Sequence, residues 1–296
     1  MKKVLKKLAL LMLAVSMTVP AASAIDMPEA SVVEAASTQK LTLYVGEKFD
    51  VTSAKGIKSN KKSVVKTGKS TSSGYVQYYM IAKKTGTATV TVNQKYGGKV
   101  KYKVTVKKNN CSAKLSMTGY KYGEVLVTLK NNSSQIFDSV TVKYTLKKTD
   151  GSVYEEKEST LYDVMSKKSA YKTISLTSNA DVDLSQSSVK ITGVMHYPNR
   201  TYKNVSSKVK VTKTSETDAE KEVEININAK NSTSQSVSGQ VYFLIKNSSD
   251  EIIGVESRSF YLSKKATESA TKSIYKDMYP GYDHYEIVSG FYCTKL

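Results

Sequence analysis

The sequence contains no tryptophan, only four prolines and only two histidines and two cysteines in 296 residues. Metal centres need several histidine, cysteine or acidic ligands at defined spacing, and no such spacing is present. A nucleophile elbow, a zinc-binding His-Glu pair and a phosphate-cradling glycine loop are also absent. We therefore expect no metal, no cofactor and no catalytic residues, and we interpret the protein as a non-enzyme.

A long hydrophobic run occurs only at the start of the chain. Several lysines precede an apolar stretch over 8–19, and Ala22-Ser23-Ala24 supplies the small residues that a signal peptidase accepts. This pattern predicts a secretory signal peptide over 1–24, with cleavage after Ala35 or Ala36 as the alternative. An apolar stretch of about 12 residues is shorter than the roughly 20 residues that a membrane-spanning helix needs.

The rest of the sequence offers no obvious covalent link to a surface. It has no hydrophobic tail, no cysteine directly after the signal and no LPxTG-type sorting signal. We therefore expect a secreted protein whose attachment to a cell surface, if it has one, is non-covalent. The acidic and unpatterned residues 25–37 are expected to form a flexible leader.

The two cysteines, Cys111 and Cys293, would meet an oxidising environment after export, so a disulfide between them is one alternative. They lie at the start of one predicted domain and at the end of the next, and a bridge would require the two domains to fold back on each other. We expect two unpaired, partly buried thiols instead.

Alternation of apolar and polar residues dominates the chain after the signal. Period-two patterning indicates strands with one buried face and one wetted face. Gly-, Pro- and Asp-containing turn signals separate these runs, as in "YGGK", "TDGS" and "YPGY". Short strands separated by such turns predict an all-β protein made of β-sandwiches. The clearest runs are Leu41/Leu43/Val45, Val100/Tyr102/Val104/Val106, Val140/Val142/Tyr144/Leu146 and Val223/Ile225/Ile227.

An internal repeat divides the chain further. "LKNNSSQIFDSVTVKYTLKKTDGSV" from Leu129 matches "AKNSTSQSVSGQVYFLIKNSSDEII" from Ala229. A period near 100 residues is the size of one sandwich, so the repeat predicts two sibling domains over 109–213 and 214–296. The residues before them, 38–108, form a third module. The two histidines, His196 and His284, fall in related places of the repeats and are expected to be surface or turn residues.

Residues 38–108 contain "LTLYVGEKFDVT", "KSNKKSVVKTGK" and "AKKTGTATVTV". These segments resemble the opening strand and glycine turn, the Ser-Asn centre and the closing strand of the bacterial Ig-like domains of group 2. The two repeats resemble the Ig-like domains called FxLYD, through "NSSQIFDSVTVKYTLKKTDGSV" in the first copy. Both resemblances imply three tandem Ig-like β-sandwiches that serve as spacers and binding modules, without catalysis.

Charge is distributed unevenly along the chain. Residues 38–108 hold 16 lysines and only two acidic residues, whereas 214–296 hold nine basic and twelve acidic residues. Lysine outnumbers arginine 43 to 2, so one interpretation is a compositional bias that simply solvates the strands. The other is that the first module docks on a polyanion, with ammonium groups acting as point charges. We assign this hypothetical site to Lys83, Lys84, Lys95, Lys99, Lys101 and Lys103.

In an exported bacterial protein, the polyanions at hand are wall teichoic acids and the anionic membrane surface. Nucleic acid would also attract such a surface, but the export signal and the scarcity of arginine argue against it. A second candidate site is the tyrosine-rich stretch over 273–292, where aromatic rings could stack on a sugar while a carboxylate accepts hydroxyl hydrogen bonds. Its candidate residues are Tyr279, Tyr282, Asp283 and Tyr285. The alternative is that these tyrosines pack in the core.

Together these features favour a secreted, non-catalytic cell-envelope protein of a Gram-positive bacterium. Its basic module would dock on wall polymers, while the repeats act as a stalk or a protein-binding surface. The alternative function is a carbohydrate-binding module or adhesin that recognises glycans through the tyrosine-rich loop. A secreted hydrolase is a third class, since paired carboxylates cannot be read from sequence, but small sandwiches offer no deep cleft to tune them.

Overall fold

The computed structural model describes residues 37–72, 74–177, 181–196 and 201–295. The predicted signal peptide and leader, apart from Ser37, lie outside the described residues. The described chain is almost entirely β and forms three sandwiches, each made of two sheets, which confirms the predicted fold class. Two turns of 3-10 helix, Ser206–Lys208 and Lys276–Met278, are the helical elements of the described residues.

The first sandwich pairs a four-stranded sheet, in the order β1-β7-β6-β3, with a three-stranded sheet, β2-β5-β4. Strand β1 is parallel to β7, and the other neighbours are antiparallel. The strands are β1 Ser37–Tyr44, β2 Lys48–Val51, β3 Ala54–Ser59, β4 Val65–Ser72, β5 Tyr75–Ala82, β6 Gly86–Gln94 and β7 Lys99–Lys107.

The second sandwich pairs the sheets β11-β10-β13 and β12-β9-β8, and the third pairs β14-β20-β17-β18 and β15-β16-β19. Strands of the second sandwich are β8 Cys111–Met117, β9 Glu124–Asn131, β10 Phe137–Lys147, β11 Val153–Val164, β12 Ser169–Ser175 and β13 Asp183–Met195. Strands of the third are β14 Thr201–Asn204, β15 Val209–Asp218, β16 Glu222–Asn231, β17 Val237–Lys246, β18 Ile252–Leu262, β19 Thr267–Tyr275 and β20 His284–Lys295.

Each sandwich has its own hydrophobic core, built from the alternating residues that the sequence pattern selects. Leu43 and Met80 are fully buried in the first, Phe137 in the second, and Phe243 and Phe291 in the third. Burial of each such side chain contributes about 1.5–3 kcal/mol, so the cores stabilise the modules.

The boundary between the second and third sandwiches differs from the sequence-based one. Strand β14 pairs with β20, from Thr201 beside Lys295 to Asn204 beside Tyr292. Strand β15 pairs with β16 from Val209 onward. By strand pairing, residues 201–213 therefore belong to the third sandwich and not to the second. The short strand β14 covers the edge of β20. Strand β14 has no signal of its own in the sequence.

The internal repeat has a structural counterpart in two buried asparagines. Asn131 and Asn231 are both completely buried. Each donates from Nδ2 to a carbonyl four residues ahead, Gln135 or Gln235, at 2.8 Å in both copies. Each also accepts from the backbone N–H two residues ahead. The amide thus holds the loop before β10 or β17 in one shape, and the second and third sandwiches are structural siblings.

The first and second sandwiches are joined by the turn after β1. The ring of Tyr44 packs edge-on against Phe137, with the ring centroids 5.2 Å apart, and against His196 at the same distance. The carboxylate of Glu47 is only 1 % exposed and lies 3.0 Å from Nδ1 of His196. The backbone N–H of Tyr44 donates to the same carboxylate at 2.8 Å. Tyr44 therefore contributes to the core of the second sandwich.

His196 thus lies in a nearly buried junction, with its side chain 9 % exposed. Of the two environments predicted for it, surface or turn, the surface is therefore wrong. It also occupies a different place in its repeat from His284. His196 follows the last strand of the second sandwich, whereas His284 begins the last strand of the third.

The second and third sandwiches are joined by the turn between β8 and β9. Gly119 donates its backbone N–H to the carbonyl of Ile253 at 2.7 Å, and Lys121 donates to Met278 at 2.9 Å. Between them, Tyr120 packs against the core of the third sandwich, with its ring centroid 5.5 Å from that of Tyr279. Residues 36–296 accordingly form one compact unit.

Both cysteines are free thiols in the structure. Cys293 is buried in the core of the third sandwich, and Cys111 packs partly against the core of the second. Among the described residues, no helix has the length and apolar character needed to cross a membrane.

Candidate functional site

The outer face of the four-stranded sheet in the first sandwich carries lysines and threonines on neighbouring strands. Because Val104 and Val106 of β7 point into the core, the alternate residues of β7 point outward. The registers of β1 and β6 against β7, and of β3 against β6, then fix which of their side chains share this face. We call it the lysine face; it consists of Lys40, Lys58, Lys99, Lys101, Lys103 and Lys107 with Thr38, Thr42, Thr87, Thr89, Thr91 and Thr105.

Several of these lysines are direct neighbours. Lys40 of β1 lies beside Lys103 of β7, in a pair of strands roughly 5 Å apart. Lys101 lies between Thr38 and Thr91 on the strands to either side. Like charges opposite each other on a sheet are destabilising, and a bound anion would relieve this repulsion. The threonine hydroxyls between the ammonium groups can donate further hydrogen bonds.

The two acidic residues of this module lie away from the lysine face. Glu47 is buried at the junction with the second sandwich, where it contacts His196. Asp50 lies on β2 of the opposite sheet and pairs with Lys48 at 3.1 Å. Within the described residues, none of the six lysines of the face forms an ion pair with a carboxylate. The face is therefore a patch of uncompensated positive charge.

The predicted lysines are only partly brought together. Lys99, Lys101 and Lys103 lie on the face, and Lys95 lies in the β6–β7 turn at its edge. Lys83 and Lys84 lie between β5 and β6, at the other end of β6, roughly 30 Å from Lys95. They extend the positive surface beyond Lys107 but do not join the cluster around Lys101.

Sequence reasoning missed Lys40, Lys58 and Lys107. The alternation of Lys40 and Thr42 with Leu41 and Leu43 indicates an outward position for Lys40. It does not reveal that β1 lies beside β7, because a parallel pair joins strands that are distant in sequence. Positive charge also occurs elsewhere on the module, for instance at Lys66 on the opposite sheet.

The tyrosine-rich stretch divides into a buried part and an exposed part. Tyr279 is only 5 % exposed, so its predicted role as a stacking platform for a sugar is wrong. Its ring lies directly over Gly254, where a Cβ atom would fall 2.3 Å from the ring, and its hydroxyl donates to Glu256 at 3.3 Å. The missing side chain at Gly254 is what makes room for this ring.

The other three predicted residues, Tyr282, Asp283 and Tyr285, line one open depression of about 370 Å³. Lys213, Glu216, Asp218 and His284 complete its rim. The hydroxyl of Tyr285 donates to Glu216, and burial together with this carboxylate raises the pKa of Tyr285. The depression offers aromatic surface, carboxylates and a lysine, a combination suited to a polyhydroxylated ligand.

Among the described residues, no group of three or more histidine, cysteine or acidic side chains could hold a metal ion. His284 contacts Asp283 and Asp250 only on the exposed surface. The residues described thus supply charge, hydroxyls and aromatic rings, which are groups suited to binding.

No family model matches the sequence, and no curated protein matches it. Among solved structures, a tetra-tandem repeat from the extending region of a large adhesion protein is 10 % identical, with a TM-score of 0.17; the alignment covers 86 % of this chain and 74 % of that one. A CBM22 tandem from Paenibacillus barcinonensis Xyn10C is 8 % identical, with a TM-score of 0.12 and coverage of 81 % and 86 %. These scores are too low to link the chain to either protein.

Proposed function

We propose that the protein is an exported, non-catalytic binding protein of the bacterial cell envelope that docks on anionic wall polymers through the lysine face. The first sandwich acts as a group 2 bacterial Ig-like module, and the other two act as FxLYD-like modules. The observation that carries this proposal is a sheet face with six lysines, interleaved threonines and, among the residues that the structure describes, no carboxylate partner.

The second and third sandwiches serve as a stiff spacer. They separate the basic module from any partner that binds at the third sandwich. Support comes from the turn around Tyr120, which bonds the two sandwiches backbone to backbone. Such a block suits a spacer or a protein-binding surface better than independently moving domains would.

The test is sedimentation of the protein with purified Gram-positive walls, with and without teichoic acid, across a salt series. Exposed charges are screened over about 10 Å at 0.1 M salt, so binding should fall steeply as salt rises. The triple substitution Lys40→Gln, Lys101→Gln and Lys103→Gln should weaken binding, because it removes neighbouring charges from the face. Walls stripped of teichoic acid should bind less.

The matched control is Lys210→Gln, Lys221→Gln and Lys230→Gln, which removes the same charge from exposed positions of the third sandwich. Equal loss of binding in both triple variants would show that binding depends on net charge alone. It would reject the lysine face as the binding site. Binding that is absent or insensitive to salt would reject polyanion docking altogether.

A second candidate function is glycan recognition at the depression lined by Tyr282, Asp283 and Tyr285. A neutral oligosaccharide would place a sugar ring on tyrosine and its hydroxyls on the carboxylates. Screening against a glycan array should then give a hit that Tyr282→Ala abolishes. Tyr275→Ala is the control, because Tyr275 is 52 % exposed and does not line the depression. A silent array would remove this function.

A further inference from the structure

Two hairpin turns lie at the pole of the first sandwich that faces away from the second. The junction with the second sandwich is made where β1 ends at Tyr44, and β5 ends at the same pole because Ala82 bonds to Gly46 and Glu47. The β4–β5 and β6–β7 turns, at the other ends of their strands, therefore lie at the free pole. The backbone N–H of Lys95 donates to Ser53 at 2.7 Å, which ties the β6–β7 turn to the β2–β3 turn at this pole.

The free pole presents two tyrosines to solvent. Tyr96 is 86 % exposed and Tyr75 is 83 % exposed, more than any other large hydrophobic residue of the described chain. Val76 beside Tyr75 is 47 % exposed. Aromatic rings held in water contribute no hydrophobic stabilisation to the module, and they remain free to contact a ligand.

The pole is also basic. Lys55, Lys95 and Lys99 belong to its turns and strand ends, and Lys95 Nζ lies 5.8 Å from the centroid of the Tyr96 ring. The carboxylates of the module, Glu47 and Asp50, are engaged elsewhere with His196 and Lys48. Lys99 belongs to the lysine face as well, so the pole and the face form one continuous positive surface.

We propose that the free pole binds the sugar rings of an acidic polysaccharide. The charged groups of the same polymer contact the lysine face. This inference rests on the proposed function and specifies its ligand: a polymer that contains sugar rings as well as anionic groups. A tyrosine ring offers an apolar face to the C–H groups of a sugar and a hydroxyl to its oxygens. Lysine ammonium groups pair with the anionic groups of the polymer as point charges.

A linear polyphosphate carries charge but no sugar ring. Comparison with it therefore separates the contribution of the tyrosines to binding from that of the lysines. The experiment measures binding of the full-length protein to polygalacturonate and to inorganic polyphosphate in the same buffer. The substitutions Tyr75→Ala and Tyr96→Ala together should weaken binding to polygalacturonate about tenfold. Binding to polyphosphate should not change, because no charge is lost.

Tyr261→Ala with Tyr122→Ala is the matched control, since these tyrosines are 68 % and 51 % exposed on the other two sandwiches. It should alter neither affinity. If the Tyr75 and Tyr96 variant binds polygalacturonate as the wild type does, or loses both polymers equally, the inference is overturned while polyanion docking stands. If the wild type binds neither polymer, both proposals fail. Unchanged thermal unfolding of the variant confirms that its fold is intact.

Discussion

Nδ1 of His196 lies 3.0 Å from Oε1 of Glu47, although 149 residues separate them along the chain. The contact links the first sandwich to the second inside a junction that excludes most water. Burial raises the pKa of the Glu47 carboxyl, and the hydrogen bond and charge of His196 act in the opposite direction. Tyr44 faces the same carboxylate through its backbone N–H. Glu47 is therefore the group whose protonation the junction should sense.

Replacement of Glu47 by glutamine tests this dependence on pH. A raised pKa in the folded state means that the folded protein holds the proton at a pH where the unfolded chain has lost it. This contribution to the unfolding free energy is fully present below about pH 4.5, the ordinary value, and is lost as pH rises through the folded pKa. We expect Glu47→Gln to be more stable relative to wild type at pH 7 than at pH 4.

Denaturant unfolding across pH 4–8 measures this difference. Asp50→Asn is the control, because it removes a carboxyl from the same module at a half-exposed position outside the junction. A Glu47→Gln difference that does not vary with pH would contradict the assignment.

The buried asparagines should be equally important in the two repeats. Asn131→Ala removes the hydrogen bonds that this side chain makes with the carbonyls of Gln135 and Val164 and with the N–H of Ser133. The expected loss is about 3 kcal/mol of unfolding free energy, since a buried polar group without a partner costs roughly 1–3 kcal/mol. Asn231→Ala should cost a similar amount in the third sandwich.

Calorimetry or chemical denaturation measures both losses. Asn132→Ala, at the adjacent exposed position, should change stability by less than about 0.5 kcal/mol. Markedly different costs at Asn131 and Asn231 would mean that the two loops are not equivalent in energy.

Tyr120 should control whether the second and third sandwiches unfold together. Its ring packs against the core of the neighbouring sandwich, so Tyr120→Ala leaves a cavity at the interface and should cost about 3 kcal/mol. We expect the unfolding of the two sandwiches to separate into distinct transitions by calorimetry. Tyr122→Ala changes a residue that is 51 % exposed two positions later, and it should leave the transitions together. If the two unfolding transitions stay together in both variants, the backbone hydrogen bonds alone are sufficient to couple the two sandwiches.

The thiol of Cys111 should be poorly reactive in the folded protein. Burial raises the pKa of this thiol to about 12, so almost no thiolate exists at pH 8. In a Cys293→Ala background, Ellman's reagent should therefore react slowly until the chain is denatured. Reaction at the rate of a free cysteine at pH 8 would contradict this environment.

The sequence pattern was sufficient for the fold and for the inward face of β7. Val104 and Val106 are buried as the alternation of that strand predicts, while Lys101 and Lys103 point outward. Alternation depends only on residues that are close in the sequence, so it can be predicted from the sequence alone. The strand neighbours are not local: the position of β1 beside β7, which adds Lys40 to the lysine face, depends on hydrogen bonds between residues some 60 positions apart.

The errors around Tyr279 and His196 have the same origin. Tyr279 is buried because Gly254, in another strand, leaves a space that fits its ring. His196 is buried because the turn after β1 of a different module packs on it. The sequence does not indicate which distant residue will pack against a glycine or against a single histidine. The free pole with Tyr75 and Tyr96 became visible only when strand order fixed which turns lie together.

The parallel pairing of β1 with β7 has a mechanical consequence. The first sandwich begins at Ser37 and passes to the next module at Lys107, and these residues lie at opposite ends of the paired strands. Tension applied between those two points pulls along the strands and loads all their hydrogen bonds at once, in shear. A hairpin pulled at its open end would instead break its bonds one after another. We therefore expect the pair β1–β7 to resist force applied between its two ends better than a hairpin opened from one end would.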